Sequence, residues 1–95
     1  MSRRFRPDAS YRIFLEQLVQ AREEQGVTQQ ELAERLNLLP RLVAECEAGK
    51  RQLDFVQTRD WCVALGVSFL DFLLKLDQKI SAQRSNNPTE EGDQE

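Results

Sequence analysis

Thr28-Gln29-Gln30-Glu31-Leu32-Ala33-Glu34-Arg35-Leu36-Asn37-Leu38-Leu39-Pro40 is the stretch whose reading decides the fold. Thr28 and Glu31 are spaced as a capping box: the Thr side chain accepts from the amide three residues on, and the Glu reaches back to the Thr amide. That opens a short helix at about 29–36, with Leu32, Ala33 and Leu36 on its inward side. Asn37 tolerates the left-handed conformation that ends a helix. Pro40 suits the first turn of a new helix, because its missing N–H would have no partner there. The second helix is expected to run to about Ala48 and to stop at Gly49.

The same punctuation extends in both directions. Upstream, Tyr11, Phe14, Leu15, Leu18 and Val19 form a helical stripe over 11–25, with Asp8 or Ser10 as its cap and Gly26 as its stop. Downstream, Asp54 and Gln57 make a second capping box for a helix that reaches Leu65 before Gly66. Ser68, with Asp71 three residues on, caps a fifth helix over about 69–82. No period-two alternation marks a strand. The expectation is an all-α, five-helix domain over residues 10–84, preceded by a basic N-terminal arm (1–9) and followed by an acidic tail (85–95). The tail has no apolar residue and reads as disordered. The expected core is Leu18, Leu32, Ala33, Leu36, Val43, Cys46, Val56, Cys62 and Leu65.

Composition narrows the chemistry. The 95 residues fit one domain. There is no histidine, and the two cysteines, Cys46 and Cys62, sit in helical patterns among apolar neighbours. They read as small buried hydrophobes, not as a disulfide or a metal site. Without His, and with four isolated glycines, the chain lacks the usual acid–base and phosphate-loop groupings. Neither an enzyme nor a cofactor is expected. No apolar run approaches the roughly 20 residues that span a bilayer, so no membrane association and a cytoplasmic location are expected. The net charge of −3 is concentrated at the C-terminus, since residues 1–84 carry 12 acidic and 13 basic side chains. A local basic surface is therefore compatible with the sum.

Two short helices joined by a tight Asn37-Leu38-Leu39 turn make a helix-turn-helix at about residues 28–48. In such a unit the second helix enters the DNA major groove. The run Gly26-Val27-Thr28-Gln29-Gln30-Glu31-Leu32-Ala33-Glu34-Arg35-Leu36 resembles the opening of lambda-repressor-like, Cro-type helix-turn-helix proteins, the XRE family. Val43, Glu47, Gly49-Lys50-Arg51 and Ala64-Leu65-Gly66-Val67-Ser68 match the same pattern, so the resemblance covers about residues 14–74. It implies sequence-specific binding of double-stranded operator DNA by a homodimeric transcriptional regulator, a repressor by analogy. It also implies site residues. Gln29 and Gln30 would lie at a phosphate. Pro40, Arg41, Leu42 and Glu45, with Leu39 and Ala44, would face the groove. Lys50 and Arg51 would grip the backbone, and Glu47 would hold the turn. Arg3 and Arg4 of the arm would track the minor groove or a phosphate.

The chain departs from the family where it would read DNA. Leu39 stands where relatives carry a capping Ser or Thr, Ala44 where a small polar residue is usual, and Glu45 where a basic or polar one is common. A Glu in the groove meets phosphate repulsion unless it accepts from cytosine N4. An apolar face also suits a protein partner. A second reading therefore stands beside the first: an interaction module that binds a protein through the recognition helix. The fifth helix carries more apolar residues than one face accommodates, and Phe69, Phe72, Leu73, Leu76 and Ile80 are the expected dimer contacts.

Overall fold

The computed structural model describes residues 8–86. It contains five helices in the order α1 (Ala9–Glu24), α2 (Gln29–Leu36), α3 (Pro40–Glu47), α4 (Phe55–Leu65) and α5 (Phe69–Asn86), with no strand among the described residues. Asp8, rather than Ser10, caps α1 by accepting from the Tyr11 amide at 2.8 Å. Both capping boxes form, at Thr28/Glu31 and at Asp54/Gln57. Ser68 Oγ accepts from the Asp71 amide at 3.1 Å and opens α5.

The helix ends follow one rule. After α2, the Asn37 amide donates to Glu34 O and the Leu38 amide to Ala33 O, the paired bonds of a Schellman stop. Asn37 takes φ 62°, ψ 40° there, a conformation that Asn tolerates better than other side-chain-bearing residues. The same pair closes α3, from Gly49 to Cys46 O and from Lys50 to Glu45 O. Gly49 has φ +81° and is buried, so its backbone conformation and its surroundings both favour glycine.

Within the bundle, α2 packs on α3 and α4, while α1 packs on α3 and α5. Leu18, Leu32, Ala33, Val43 and Cys62 are wholly enclosed, and Cys46 and Leu65 are buried as expected. Burial raises both thiol pKa values, that of Cys62 to about 11, as befits cysteines that act as apolar side chains. Leu36 is only half-buried. Two polar bonds lock the frame: Gln17 Nε2 donates to Phe72 O across α1 and α5, and Tyr11 Oη accepts from the Leu53 amide.

Three expectations need correction. Val56 is 62% exposed rather than buried. The inward face of α4 is Thr58, Trp61, Cys62 and Leu65, and Val56 lies about 200° around the helix from Thr58. Trp61, 2% exposed, takes the central place instead. Phe72, expected at a dimer contact, is 5% exposed and meets Phe14 edge-on at 6.1 Å, inside its own core. Finally, α5 continues to Asn86 rather than stopping near 82, so Ser85 and Asn86 are helical. No Gly or Pro interrupts the chain between Phe69 and Asn86. The arm residues 1–7 and the rest of the tail, 87–95, lie outside the described residues.

One helix start is left open by the sequence. Leu39 holds the N-cap position of α3 with extended dihedrals (φ −72°, ψ 142°) and makes no side-chain cap bond. A hydroxyl at that position would accept from the first-turn amides. Leu39→Ser should therefore stabilise the domain by about 1 kcal/mol, seen as a rise in melting temperature of roughly 4–8 °C in a domain of this size. An unchanged or lower melting temperature would show that exposed Leu39 makes a compensating contact.

Candidate nucleic-acid interface

The candidate interface is held by a buried ion pair. Arg22, near the end of α1, donates through Nε to Glu47 Oε2 at 2.6 Å and through Nη2 to Oε1 at 3.1 Å. Its Nη1 donates to Val27 O at 2.8 Å, and Gln29 Nε2 donates to Glu47 Oε1 at 2.7 Å. The two charged side chains are only 12% and 5% exposed. The end of α1, the α1–α2 loop, the first residue of α2 and the end of α3 are thus tied at one carboxylate. This links α2 to α3 in addition to their packing. Bidentate Arg–carboxylate geometry gives direction as well as attraction.

The expected contact residues differ in how far they reach solvent. Gln29 is half-buried because one amide hydrogen points at Glu47; its second hydrogen remains for an outside acceptor. Gln30 is exposed beside it, at a helix start where backbone N–H groups favour anions. Val43 and Cys46 turn α3 inward, which leaves Leu39, Pro40 and Arg41 exposed and Leu42, Ala44 and Glu45 half-covered. Leu38 and Leu39 are 40% and 60% exposed, so the turn carries an apolar edge. Lys50 and Arg51 project from the turn after α3, and both are exposed.

The acidic residue of this face is not isolated. Glu45 Oε1 accepts from Arg51 Nε at 2.7 Å, and its Oε2 lies 3.9 Å from Arg41 Nε, one helical turn away. The hydrogen bond from Arg51, with help from the charges of Arg51, Arg41 and Lys50, holds the Glu45 carboxyl below the usual carboxylate range. The same bond raises Arg51. Lowered on the acid and raised on the base, the pair stays charged through neutral pH. Arg3 and Arg4, the other expected contacts, lie outside the described residues.

A second surface lies between the start of α1, the start of α4 and α5. It is an open apolar groove of about 410 Å³ lined by Tyr11, Phe55, Phe69, Leu73, Leu76 and Ile80, among others. Phe55 is 66% exposed and meets Phe69 edge-on at 5.1 Å. Four of the five expected dimer residues are therefore brought together here, and Phe72 is not. Leu70 and Leu74, 75% and 59% exposed, are further apolar residues of α5 outside that expectation. Among the described residues no cluster of His, Cys, Asp or Glu is arranged to hold a metal ion, and no helix is long and apolar enough to cross a membrane.

The family resemblance implied that Glu47 holds the turn; Arg22, its partner, was not among the expected residues. The signal was present: Arg22 follows Leu18 by four residues, so a charge falls on the buried stripe of α1. A charge on an apolar stripe calls for a partner, and Glu47 sits beside buried Cys46 on α3.

Comparison with known proteins identifies the family and fold. A family profile described as "Helix-turn-helix" matches residues 18–72. Among solved structures, an "XRE-family like protein" from Pseudomonas syringae pv. tomato str. DC3000 superposes with a TM-score of 0.72. It is 35% identical, over 75% of this chain and 87% of that one. The clp gene regulator ClgR from Corynebacterium glutamicum superposes with a TM-score of 0.65 at 27% identity, over 77% of this chain and 94% of that one. Comparison with curated proteins returns no match.

The ion pair yields a direct test. Glu47→Ala leaves the Arg22 guanidinium largely buried without its carboxylate and removes the acceptor of Gln29. Losing one partner of a buried pair costs about 3–5 kcal/mol, so urea unfolding should show the variant destabilised by that order. A loss below about 1 kcal/mol, the range of exposed pairs, would mean that the α2–α3 arrangement does not depend on this tie.

Proposed function

This chain belongs to the XRE family of helix-turn-helix proteins, and we propose that it is a sequence-specific, DNA-binding transcriptional regulator that acts as a homodimeric repressor. The observation that carries this reading is the outward edge of α3 and the turn after it, where Arg41, Lys50 and Arg51 are all exposed. Arg41, the sole basic residue of α3, with a side chain 73% exposed, would donate to guanine O6 and N7. Lys50 and the helix start at Gln29 and Gln30 would contact phosphates, which position the domain without reading sequence. Leu42 and Ala44 would offer apolar contact to a thymine methyl.

The dimer would form through the groove on α5. A second copy would cover Phe55, Phe69, Leu73, Leu76 and Ile80 across a two-fold axis. Two copies on one face of the duplex would read half-sites spaced by about 34 Å. A second reading is favoured by exposed Leu38 and Leu39: the turn and α3 would then dock on a protein rather than on DNA.

Two measurements test this. In fluorescence anisotropy with a duplex selected by the chain from a random library, Arg41→Ala should cost about 1–3 kcal/mol and relax the preference at one base pair. Lys50→Ala should instead weaken all duplexes alike and flatten the salt dependence by about one unit. No selection, with random-duplex binding unaffected by either change, would favour the protein-partner reading. For assembly, sedimentation should show a dimer that Leu73→Glu with Leu76→Glu converts to monomer. A monomer of the unaltered chain at high micromolar concentration would overturn the homodimer.

A further inference from the structure

We propose that Glu45 is a specificity-determining residue that exchanges partners on DNA: it holds Arg51 and attracts Arg41 in the free protein, and releases them when a cytosine amino group takes their place. The inference rests on the DNA-binding reading above and adds to it the base partner of Glu45 and a reason for an acid on the reading face.

The geometry states the problem. An unpaired carboxylate on α3 would oppose every duplex, because phosphates repel it everywhere along the groove. Glu45 is not unpaired. Arg51 Nε lies at 2.7 Å and Arg41 Nε at 3.9 Å, one on each carboxylate oxygen. The pairing offsets the repulsion, but it also occupies cations that would otherwise bind phosphates without regard to sequence. In the free protein Arg51 is therefore largely withheld from non-specific binding, and of Arg41, Lys50 and Arg51 only Lys50 makes no ion pair with Glu45. All three residues are at least partly open to solvent, so partner exchange needs side-chain rotation only.

On a matching site the partners change. Cytosine presents N4–H₂, a donor, in the major groove, and a carboxylate is its fitting acceptor. Once N4–H₂ donates to Glu45, the carboxylate no longer needs the guanidiniums to satisfy it. Arg51 is then free for a phosphate and Arg41 for a neighbouring guanine. On a site without that cytosine, either Arg51 stays on Glu45 and a phosphate contact is lost, or Glu45 enters the groove unpaired. Both alternatives penalise the wrong sequence. The acid thereby lowers affinity for all DNA and raises the ratio between right and wrong sites, which is discrimination by an added repulsive element.

The test uses Glu45→Gln, nearly isosteric and placed on the outer side of α3, so that the core is untouched. Dissociation constants are measured over a salt series for two duplexes: one selected from a random library by the unaltered chain, and one of random sequence. Expected for Glu45→Gln are tighter binding to the random duplex, a salt slope steeper by about 0.9 for the released Arg51, and a specificity ratio reduced at least tenfold. The selected site should contain a G·C pair that Glu45→Gln no longer prefers. In the Glu45→Gln background, Arg51→Ala should remove the added slope; in the unaltered chain, where Arg51 is held by Glu45 and has no phosphate contact to lose, it should instead weaken random-duplex binding by leaving Glu45 without its 2.7 Å partner. If the unaltered chain selects a site but Glu45→Gln keeps its specificity ratio and slope, the partner exchange is overturned and DNA binding stands. If the unaltered chain selects nothing, both fall.

Discussion

The arrangement of the candidate interface depends on one carboxylate. Glu47 receives Arg22 in two bonds and Gln29 in a third, and Arg22 also closes on Val27 O. Three helices and a loop meet at a site where the two charged side chains are 12% and 5% exposed. Apolar packing at Leu18, Leu32 and Val43 brings α1, α2 and α3 together, but packing is tolerant of small rotations. A hydrogen-bonded ion pair is less so, because each donor must point at its acceptor. The angle between α2 and α3 decides whether the start of one and the face of the other can meet the same stretch of duplex.

Short helices make such a tie necessary. α2 and α3 have eight residues each, too few to persist alone in water. Local devices start and stop them: a capping box at Thr28, a left-handed Asn37, Pro40 at a first turn and a buried Gly49. These devices set the boundaries and contribute little to orientation. Where they are incomplete, at uncapped Leu39, the missing cap lies on the surface assigned to the ligand. Stability forgone at a prospective contact surface is a common feature of binding proteins.

The charge pattern of that surface is economical. Arg41, Lys50 and Arg51 surround Glu45, so the face is moderately rather than strongly positive. A face of this kind favours discrimination over raw affinity, since affinity for any duplex grows with the number of phosphates neutralised. The acid and the apolar Leu39, Leu42 and Ala44 looked in the sequence like departures from a DNA-reading surface. In three dimensions the acid is one part of an ion-pair group.

The sequence by itself determined the helix boundaries up to the far end of α5, the helix-turn-helix and most of the core. Its signals for these are local: Thr28 and Glu31, Asp54 and Gln57, Asn37 and Gly66 act over three or four residues, within reach of a one-dimensional reading. What the sequence could not fix were the partners of its charges and the face of α4. Arg22 and Glu47 are 25 residues apart; a charge on a buried stripe calls for a partner, but no local spacing pairs these two. Arg51 turns back six residues to Glu45 across a bend, outside the regular spacing of a helix. Val56 and Trp61 lie on a helix apolar on several sides, so the choice of buried face fell to the space left by α2 and α5. Phe72 was likewise taken into the core by Phe14 rather than left for a partner. Tertiary structure decided these cases because each depends on which surfaces meet, and that is settled by packing and by the direction of hydrogen bonds between elements distant in the chain.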